Sequence, residues 1–184
     1  MKLFKNPVFA VFLTVALVIG STLINTNVKF GRKCREVTDT FFSDSVTRGA
    51  PERSIASHLE LICTDAEALC VVADSCDVDA GAVRNAVASL RRNLQIENIF
   101  GLRSSYGDLR SSLTTLLGQL AQVKLDEQSA KTVSDCTESI ASAEGSISSS
   151  DYNDTVRAFL RRYDHFPTSF LARLAGVEMP ETFA

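Results

Sequence analysis

The residues that could do chemistry are few. The chain has only two histidines, His58 and His165. Neither lies near a Cys or Ser that could serve as its nucleophile in sequence, and a lone surface or interface histidine is far more common than a catalytic one. The glycine-rich and serine-centred motifs of phosphate, dinucleotide and hydrolase sites do not occur in the sequence. We therefore expect no catalytic residue, no cofactor and no enzyme activity.

One acidic segment resembles a calcium-binding loop. Asp74, Asp77 and Asp79 are closely spaced, but an EF-hand needs a bidentate Glu at its twelfth position. Counting from Asp74 that position is Asn85, and counting from Asp77 it is Ala88. A polar connection between helices explains these residues better, with Asp79 as the N-cap of the following helix. We expect no metal site.

Five cysteines occur, and no two of them have the spacing of a CxxC motif. Because the number is odd and the spacing irregular, neither a zinc site nor a complete disulfide framework is indicated. The sequence favours free thiols that are mostly buried. A bridge between Cys70 and Cys76 remains open if the domain faces an oxidising compartment. The cysteines are Cys34, Cys63, Cys70, Cys76 and Cys136.

The N-terminal segment is strongly apolar. Pro7 to Ile24 are 18 residues without a charge, which is just long enough for a helix to cross a bilayer. We predict an uncleaved transmembrane anchor that contacts membrane lipid. The alternative is a cleaved signal peptide, because the apolar core Val8 to Ile19 is followed by Gly20 and Ser21. The missing A-x-A site and the continuation through Ile24 favour the anchor.

Basic residues flank the apolar segment on both sides, two before it and four after it. The positive-inside rule then places the bulk of the chain on the cytoplasmic side of the cell membrane. The whole chain, by contrast, has a net charge of −3, which gives no electrostatic footprint for nucleic acid. The flanking residues are Lys2, Lys5, Lys29, Arg32, Lys33 and Arg35.

After the anchor, apolar residues recur at alternating steps of three and four, which is typical of amphipathic helices. Gly49 and Pro51 predict a helix start. Asp126 predicts a later one, and Pro167 is expected to stop or kink the last helix. Such stripes need partners to cover them, and their near-heptad spacing favours the shallow crossing angles of coiled-coil-like packing. The stripes run through Ile55, Leu59, Ile62, Ala66, Leu69 and Ala73; Val83, Val87, Leu90 and Leu94; Leu102, Tyr106, Leu109, Leu113, Leu116, Leu120 and Val123; and Val133, Cys136, Ile140, Ala143 and Ile147.

The predicted fold class is all-α: an elongated antiparallel bundle of three to four helices with one N-terminal transmembrane helix. Residues 1–27 form the anchor and residues 28–184 form the helical bundle domain. Residues Val28 to Ser45 are expected to extend the transmembrane helix into the bundle.

The C-terminal stretch DYNDTVRAFLRRYDHFPTSFLARLAGVEMPETF resembles the closing signature of the LemA family of bacterial membrane-anchored proteins. Leu160 replaces the second Asn of that signature, so the chain resembles a divergent member. The resemblance implies a single-pass membrane protein with an elongated helical bundle, and it implies no enzyme activity. From the residues themselves we expect a packing role for this stretch. The matching positions are Tyr152, Asn153, Val156, Phe159, Phe166, Pro167, Ala172, Gly176 and Phe183.

The anchor and the helical stripes together suggest a function. We expect a non-catalytic, membrane-anchored scaffold or interaction module that binds an unidentified protein. A ligand-sensing bundle is the alternative, in which the serine-rich helix and buried tyrosines line a cleft; an enzyme is the least favoured class.

Overall fold

The computed structural model describes residues 7–47 and 50–183, apart from several side chains between 7 and 26 and those of 45–52. The expected all-α class is confirmed, since these residues form seven helices and only one short hairpin of two three-residue strands. In chain order the elements are α1 Pro7–Phe42, β1 Ser45–Thr47, β2 Ala50–Glu52, α2 Ile55–Ser75, α3 Gly81–Gln95, α4 Ile99–Leu120, α5 Glu127–Ser148, α6 Tyr152–Tyr163 and α7 Thr168–Leu174.

The start of α2 differs from the sequence prediction. Pro51 does not begin a helix; it lies in β2, paired with Val46 in the antiparallel hairpin. The helix starts at Ile55 because Ser54 caps it, accepting a hydrogen bond from the Ser57 N–H at 3.1 Å. Ser54 in turn donates its own N–H to Asp44 Oδ1 at 2.7 Å. The Ser54 hydroxyl accepts a hydrogen bond from a free N–H group of the first helical turn, which a proline side chain cannot do. A strand at the edge of a two-stranded hairpin tolerates the missing N–H of Pro51.

Two further helix starts follow from side-chain capping. Asn98 Oδ1 accepts from the Gly101 N–H at 3.0 Å at the start of α4. Asp126 Oδ1 accepts from the Ser129 N–H at 2.9 Å at the start of α5. The predicted helix start at Asp126 is therefore confirmed, and the cap at Asn98 marks the break between α3 and α4.

The chain divides into two compact units, each built from separate segments. Unit 1 consists of residues 1–39 and 154–180, and unit 2 of residues 40–153 and 181–184. The boundary predicted at residue 27 divides a membrane segment from the remaining chain. The two compact units are a different kind of division and do not test it, so the boundary stays a prediction.

The core of unit 2 is made from the stripes that the sequence predicts. All six stripe residues of α2, from Ile55 to Ala73, are buried. Helix α2 packs against both α3 and α5, and α3 packs against α4. The stripes end where the helices end: Val123, past the end of α4, is exposed. A helical bundle is thus confirmed, held by the burial of one apolar face per helix.

Ion pairs on its surface show that α2 and α3 run antiparallel. Arg84, near the start of α3, pairs with Asp74 near the end of α2. Two turns later Arg91 pairs with Glu67 and, at 3.4 Å, with Glu60. Pairs as exposed as these contribute little to the free energy of unfolding, so they align the two helices more than they stabilise them.

Unit 1 has a small core of its own. Phe30 and Cys34 of α1 are buried against Phe159 of α6 and Ala172 of α7. The Phe30 ring lies edge-on to Tyr163, with centroids 5.3 Å apart. Val37, Val177 and Met179 pack around this cluster. Aromatic pairs of this geometry add to the stabilisation that burial gives.

All five cysteines are free thiols, and all except the partly exposed Cys76 are buried. The preferred reading of the sequence is therefore confirmed, and the bridge considered between Cys70 and Cys76 is not formed.

Among the residues that the structure describes, none of the helices combines the length and apolarity required to span a membrane. Part of the predicted anchor lies outside the described residues, namely residues 1–6 and several side chains between Pro7 and Ile24.

Candidate functional site

The two histidines lie in different units. His58 is half-buried on α2, and its buried Nδ1 atom has no hydrogen-bond partner. Burial lowers the pKa of His58 because it disfavours the charged ring, and the nearby positive charge of Arg53 lowers it further. His165 is exposed between α6 and α7. A neutral His58 at pH 7 contributes to packing, and a pH-dependent charge there would disturb unit 2.

The thiols are poorly suited to nucleophilic chemistry. Burial raises the pKa of the Cys63 thiol to about 12 and that of Cys34 to about 11. The thiolate is the reactive form of cysteine, so these groups stay protonated and inert at neutral pH. They serve as small apolar side chains.

The segment that resembles a calcium loop is used structurally. Asp74 pairs with Arg84, and Asp79 Oδ1 accepts from the Gly81 N–H at 2.8 Å. The N-cap of α3 is Ala80, so the prediction of Asp79 as the N-cap is wrong by one residue. Asp79 precedes the cap and accepts a hydrogen bond from the first N–H of the helix. Across the described part of the chain, no group of three or more His, Cys, Asp or Glu side chains is arranged to hold a metal ion.

The predicted signature residues Tyr152, Asn153 and Phe183 come together in unit 2. Phe183 is buried, and its ring packs against Phe41 and Tyr106 at centroid distances of 5.2 and 5.6 Å. Phe41 is itself fully buried and lies edge-on to Tyr152 at 5.1 Å. We call the four residues Phe41, Tyr106, Tyr152 and Asn153 the aromatic slot, and Phe183 is its occupant.

Hydrogen bonds hold the chain in this slot through its backbone. Tyr152 Oη donates to the Glu181 carbonyl at 2.9 Å, and Asn153 Oδ1 accepts from the Phe183 N–H at 2.8 Å. Burial raises the pKa of the Tyr152 hydroxyl, which keeps it a donor at all physiological pH values. The slot therefore holds residues 181–183 by one ring and two main-chain groups.

Polar contacts outside the slot also hold the Tyr106 side chain. Its hydroxyl donates to Glu144 Oε1 on α5 at 3.2 Å, and the same carboxylate oxygen pairs with Arg110 at 2.8 Å. Burial and the Glu144 charge raise the pKa of Tyr106. This network fixes the ring that Phe183 contacts.

The other signature residues lie in unit 1. Val156, Phe159 and Ala172 are buried, and Gly176 has a positive φ of 69° in the turn after α7. An L side chain rarely adopts that φ, which accounts for glycine there. The remaining two positions, Phe166 and Pro167, are exposed.

Sequence reasoning did not find Phe41 as a partner of Phe183. Tyr106 was placed on an apolar stripe, but its aromatic neighbours come from distant parts of the chain. The only local signal is the pair Phe41 and Phe42 at the end of a long helix, and such a pair indicates burial without naming its partner.

Unit 1 carries large apolar side chains on its surface. Phe166, Phe170 and Leu174 are spaced four residues apart along α7 and the residue before its cap, and they are 81, 57 and 56% exposed. Along α1 the exposed apolar residues are Val11, Val15, Leu17, Val18, Ile24 and Val28. Contiguous exposed apolar surface of this kind marks a contact with another phase or another molecule.

Unit 2 has a groove between α2 and α3 with a volume of about 520 Å³. Both of its arginines, Arg84 and Arg91, are paired with carboxylates, so the groove offers no unneutralised charge to an anionic ligand. Its lining residues are Glu67, Cys70, Val71, Arg84, Val87, Ala88 and Arg91.

No protein family, curated protein or solved structure matches this chain. The resemblance to the LemA family therefore stays a prediction from the C-terminal residues.

Proposed function

We propose that the protein is a non-catalytic, single-pass membrane module. The apolar half of α1 anchors it in the cell membrane, and unit 2 binds a protein on the cytoplasmic side. The observation that carries the proposal is the contrast between the surfaces of the two units. Unit 1 exposes apolar residues next to basic ones, whereas unit 2 buries its apolar stripes and is acidic.

The anchor is supported by sequence and exposure together. Pro7 to Ile24 contain no charged residue, and five of their apolar side chains that are described have more than half of their surface exposed, from Val11 to Ile24. Water does not favour a helix with such a surface, but the hydrocarbon of a bilayer does.

The partner is expected to be basic. Residues 40–153 and 181–184 contain nine Lys and Arg and seventeen Asp and Glu, which gives unit 2 a formal charge of −8. Glu127, Asp135 and Glu138 are exposed along α5. An acidic surface steers and orients a basic partner more than it sets the affinity.

Crosslinking in intact cells followed by purification in mild detergent tests this proposal. Wild-type protein is expected to bring one partner reproducibly, and the triple variant E127Q/D135N/E138Q is expected to lose most of it. The matched control D154N/D164N/E178Q removes three exposed acidic groups from unit 1 and should retain the partner. A wild-type chain that repeatedly emerges alone would refute the interaction role. Protease accessibility in intact and permeabilised cells separately checks the cytoplasmic assignment.

A ligand-sensing bundle is the second candidate, and its support is weaker. The tyrosines that would line a cleft, Tyr106 and Tyr152, pack with Phe41 and Phe183, and much of the serine-rich helix faces outward. A thermal shift screen separates the two functions, because a ligand that binds the folded state raises the melting temperature.

A further inference from the structure

Helix α7 presents opposite faces to the core of unit 1 and to solvent. Ala172 is fully buried against Phe30 and Phe159. Phe170 and Leu174 point away from this core, and with Phe166 they form an exposed apolar face. The rings of Phe166 and Phe170 lie 6.3 Å apart. The core of unit 1 thus holds α7 in place while leaving three large apolar side chains in water.

The position of α7 along α1 indicates what covers this face. Asn27 Nδ2 donates to the Ala175 carbonyl at 2.7 Å, just past the end of α7. Gly31 lies one turn further along α1 and faces Val177. Asn27 is less than one helical turn beyond Ile24, where the charge-free stretch ends. If that stretch lies in the bilayer, the end of α7 lies at the level of the lipid headgroups.

The charge of the surroundings suits an anionic membrane. Residues 1–39 and 154–180 contain ten Lys and Arg and five Asp and Glu, so unit 1 has a formal charge of +5. Lys2 and Lys5 precede the proposed anchor and would lie across the bilayer from α7, which leaves a formal charge of +3 on the side of α7. Exposed basic residues lie on all three of its helices: Lys29, Arg32, Lys33 and Arg35 on α1, Arg161 and Arg162 on α6, and Arg173 on α7. The acidic residues of the unit are Glu36, Asp39, Asp154, Asp164 and Glu178.

We propose that Phe166, Phe170 and Leu174 form an interfacial surface that inserts among the headgroups of anionic phospholipids, beside the point where α1 leaves the bilayer. Aromatic and apolar side chains flanked by basic ones are typical of helices that lie in this interface. Arginines near the surface add attraction to anionic lipid. This inference rests on the proposed membrane anchor and adds a second, lipid-selective contact to it.

The absence of tryptophan from the chain makes a direct test possible. The full chain with Phe170→Trp carries a single fluorophore on the proposed surface. The control Phe100→Trp places one in unit 2, at a phenylalanine that is 71% exposed. Both variants are reconstituted into vesicles of phosphatidylcholine alone or mixed with phosphatidylglycerol, with and without brominated acyl chains, and flotation is measured in parallel.

We expect Trp fluorescence of the Phe170 variant to shift to the blue and to be strongly quenched by brominated lipid, more so with phosphatidylglycerol and less at high salt. The Phe100 variant should show neither effect. Chains that float with vesicles while the Phe170 variant remains unquenched would overturn this inference and leave the anchor intact. A blue shift without quenching would indicate a protein or a second copy on this face, and would also overturn it. Chains that do not float at all would refute the anchor itself.

Discussion

The two units use apolar residues in opposite ways. Nine of the thirteen large apolar side chains that are exposed among the described residues belong to unit 1, although it is the smaller unit. Unit 2 places its apolar stripes in the interior and covers itself with acidic groups. The two formal charges, +5 and −8, nearly cancel in the chain total of −3. The average composition therefore hides a division between a basic unit that exposes apolar side chains and an acidic unit that buries its apolar stripes.

The largest effect is expected from placing charge on the exposed apolar side of α1. The double variant V15R/V18R should abolish membrane association, because an arginine at the centre of a spanning helix costs about 2.5–3.5 kcal/mol in insertion free energy. The measurement is the fraction of the protein that sediments with cell membranes after carbonate extraction. The control V71R/V123R makes the same change at exposed valines of unit 2 and should stay with the membrane. If V15R/V18R also sediments with membranes, α1 is not the anchor.

Unit 2 should be sensitive at its interior instead. Phe183→Ala empties the aromatic slot, and truncating a buried phenylalanine costs about 3–5 kcal/mol in the free energy of unfolding. Urea unfolding of the full chain in mild detergent, followed by circular dichroism, measures the loss. Phe100→Ala, at an exposed phenylalanine, should change stability by less than about 0.5 kcal/mol. Equal effects of the two substitutions would mean that Phe183 does not close the core.

A smaller effect is expected from the amide that holds Phe183. Asn153→Ala leaves the buried Phe183 N–H without its acceptor, which should lower the free energy of unfolding by about 1–3 kcal/mol. The control Asn85→Ala changes an exposed asparagine of α3. Because Asn153 and Phe183 act on the same segment, the double variant N153A/F183A should lose less than the sum of the single losses. Strictly additive losses in the free energy of unfolding would show that the hydrogen bond and the Phe183 ring stabilise the fold independently.

The smallest expected effect is the pH dependence of unit 2 at His58. Its pKa is lowered in the folded chain, so the unfolded chain binds the proton more readily and protonation opposes folding. Stability should be full above the ordinary pKa of 6.5 and decline as the pH falls below it. The variant His58→Gln should flatten this decline in urea unfolding measured between pH 7.5 and 5. A decline that persists unchanged would assign it to groups other than His58. Asp44 is not one of them in this range, because its lowered pKa acts at more acidic pH.

The local parts of the fold were predictable from the sequence. A period of three to four residues identifies the buried faces of α2 to α5, because each helix repeats the same contact every turn. The helix start at Asp126 was predicted from the chemistry of a single side chain. The cap at Asn98 rests on the same chemistry but was not predicted. The helix start predicted at Pro51 was wrong because proline suits a hairpin strand as well as a first helical turn. The groups that fix the true start of α2, Asp44 and Ser54, lie on either side of the hairpin.

The aromatic slot could only be foreseen in part. The signature positions indicated that Tyr152, Asn153 and Phe183 are important, but not that they meet one another. Phe41 contacts both Tyr152 and Phe183, but four helices separate it from Tyr152 in the chain, and no periodic pattern encodes a contact at such sequence separation. Phe166 was expected to have a packing role but is 81% exposed, because α6 ends at Tyr163 and its helical period does not continue to residue 166.

The position of Phe183 in the chain determines when, during synthesis, unit 2 can complete its core. The ring that completes unit 2 is synthesised only after residues 154–180, which belong to unit 1. Until then a nascent chain holds Phe41 and Tyr106 without their final neighbour. Translation that stops after Asn153, or a protease that cuts there, leaves an unclosed core of the kind that cellular quality control removes. Unit 2 can therefore complete its core only after residues 154–180 of unit 1 have been synthesised.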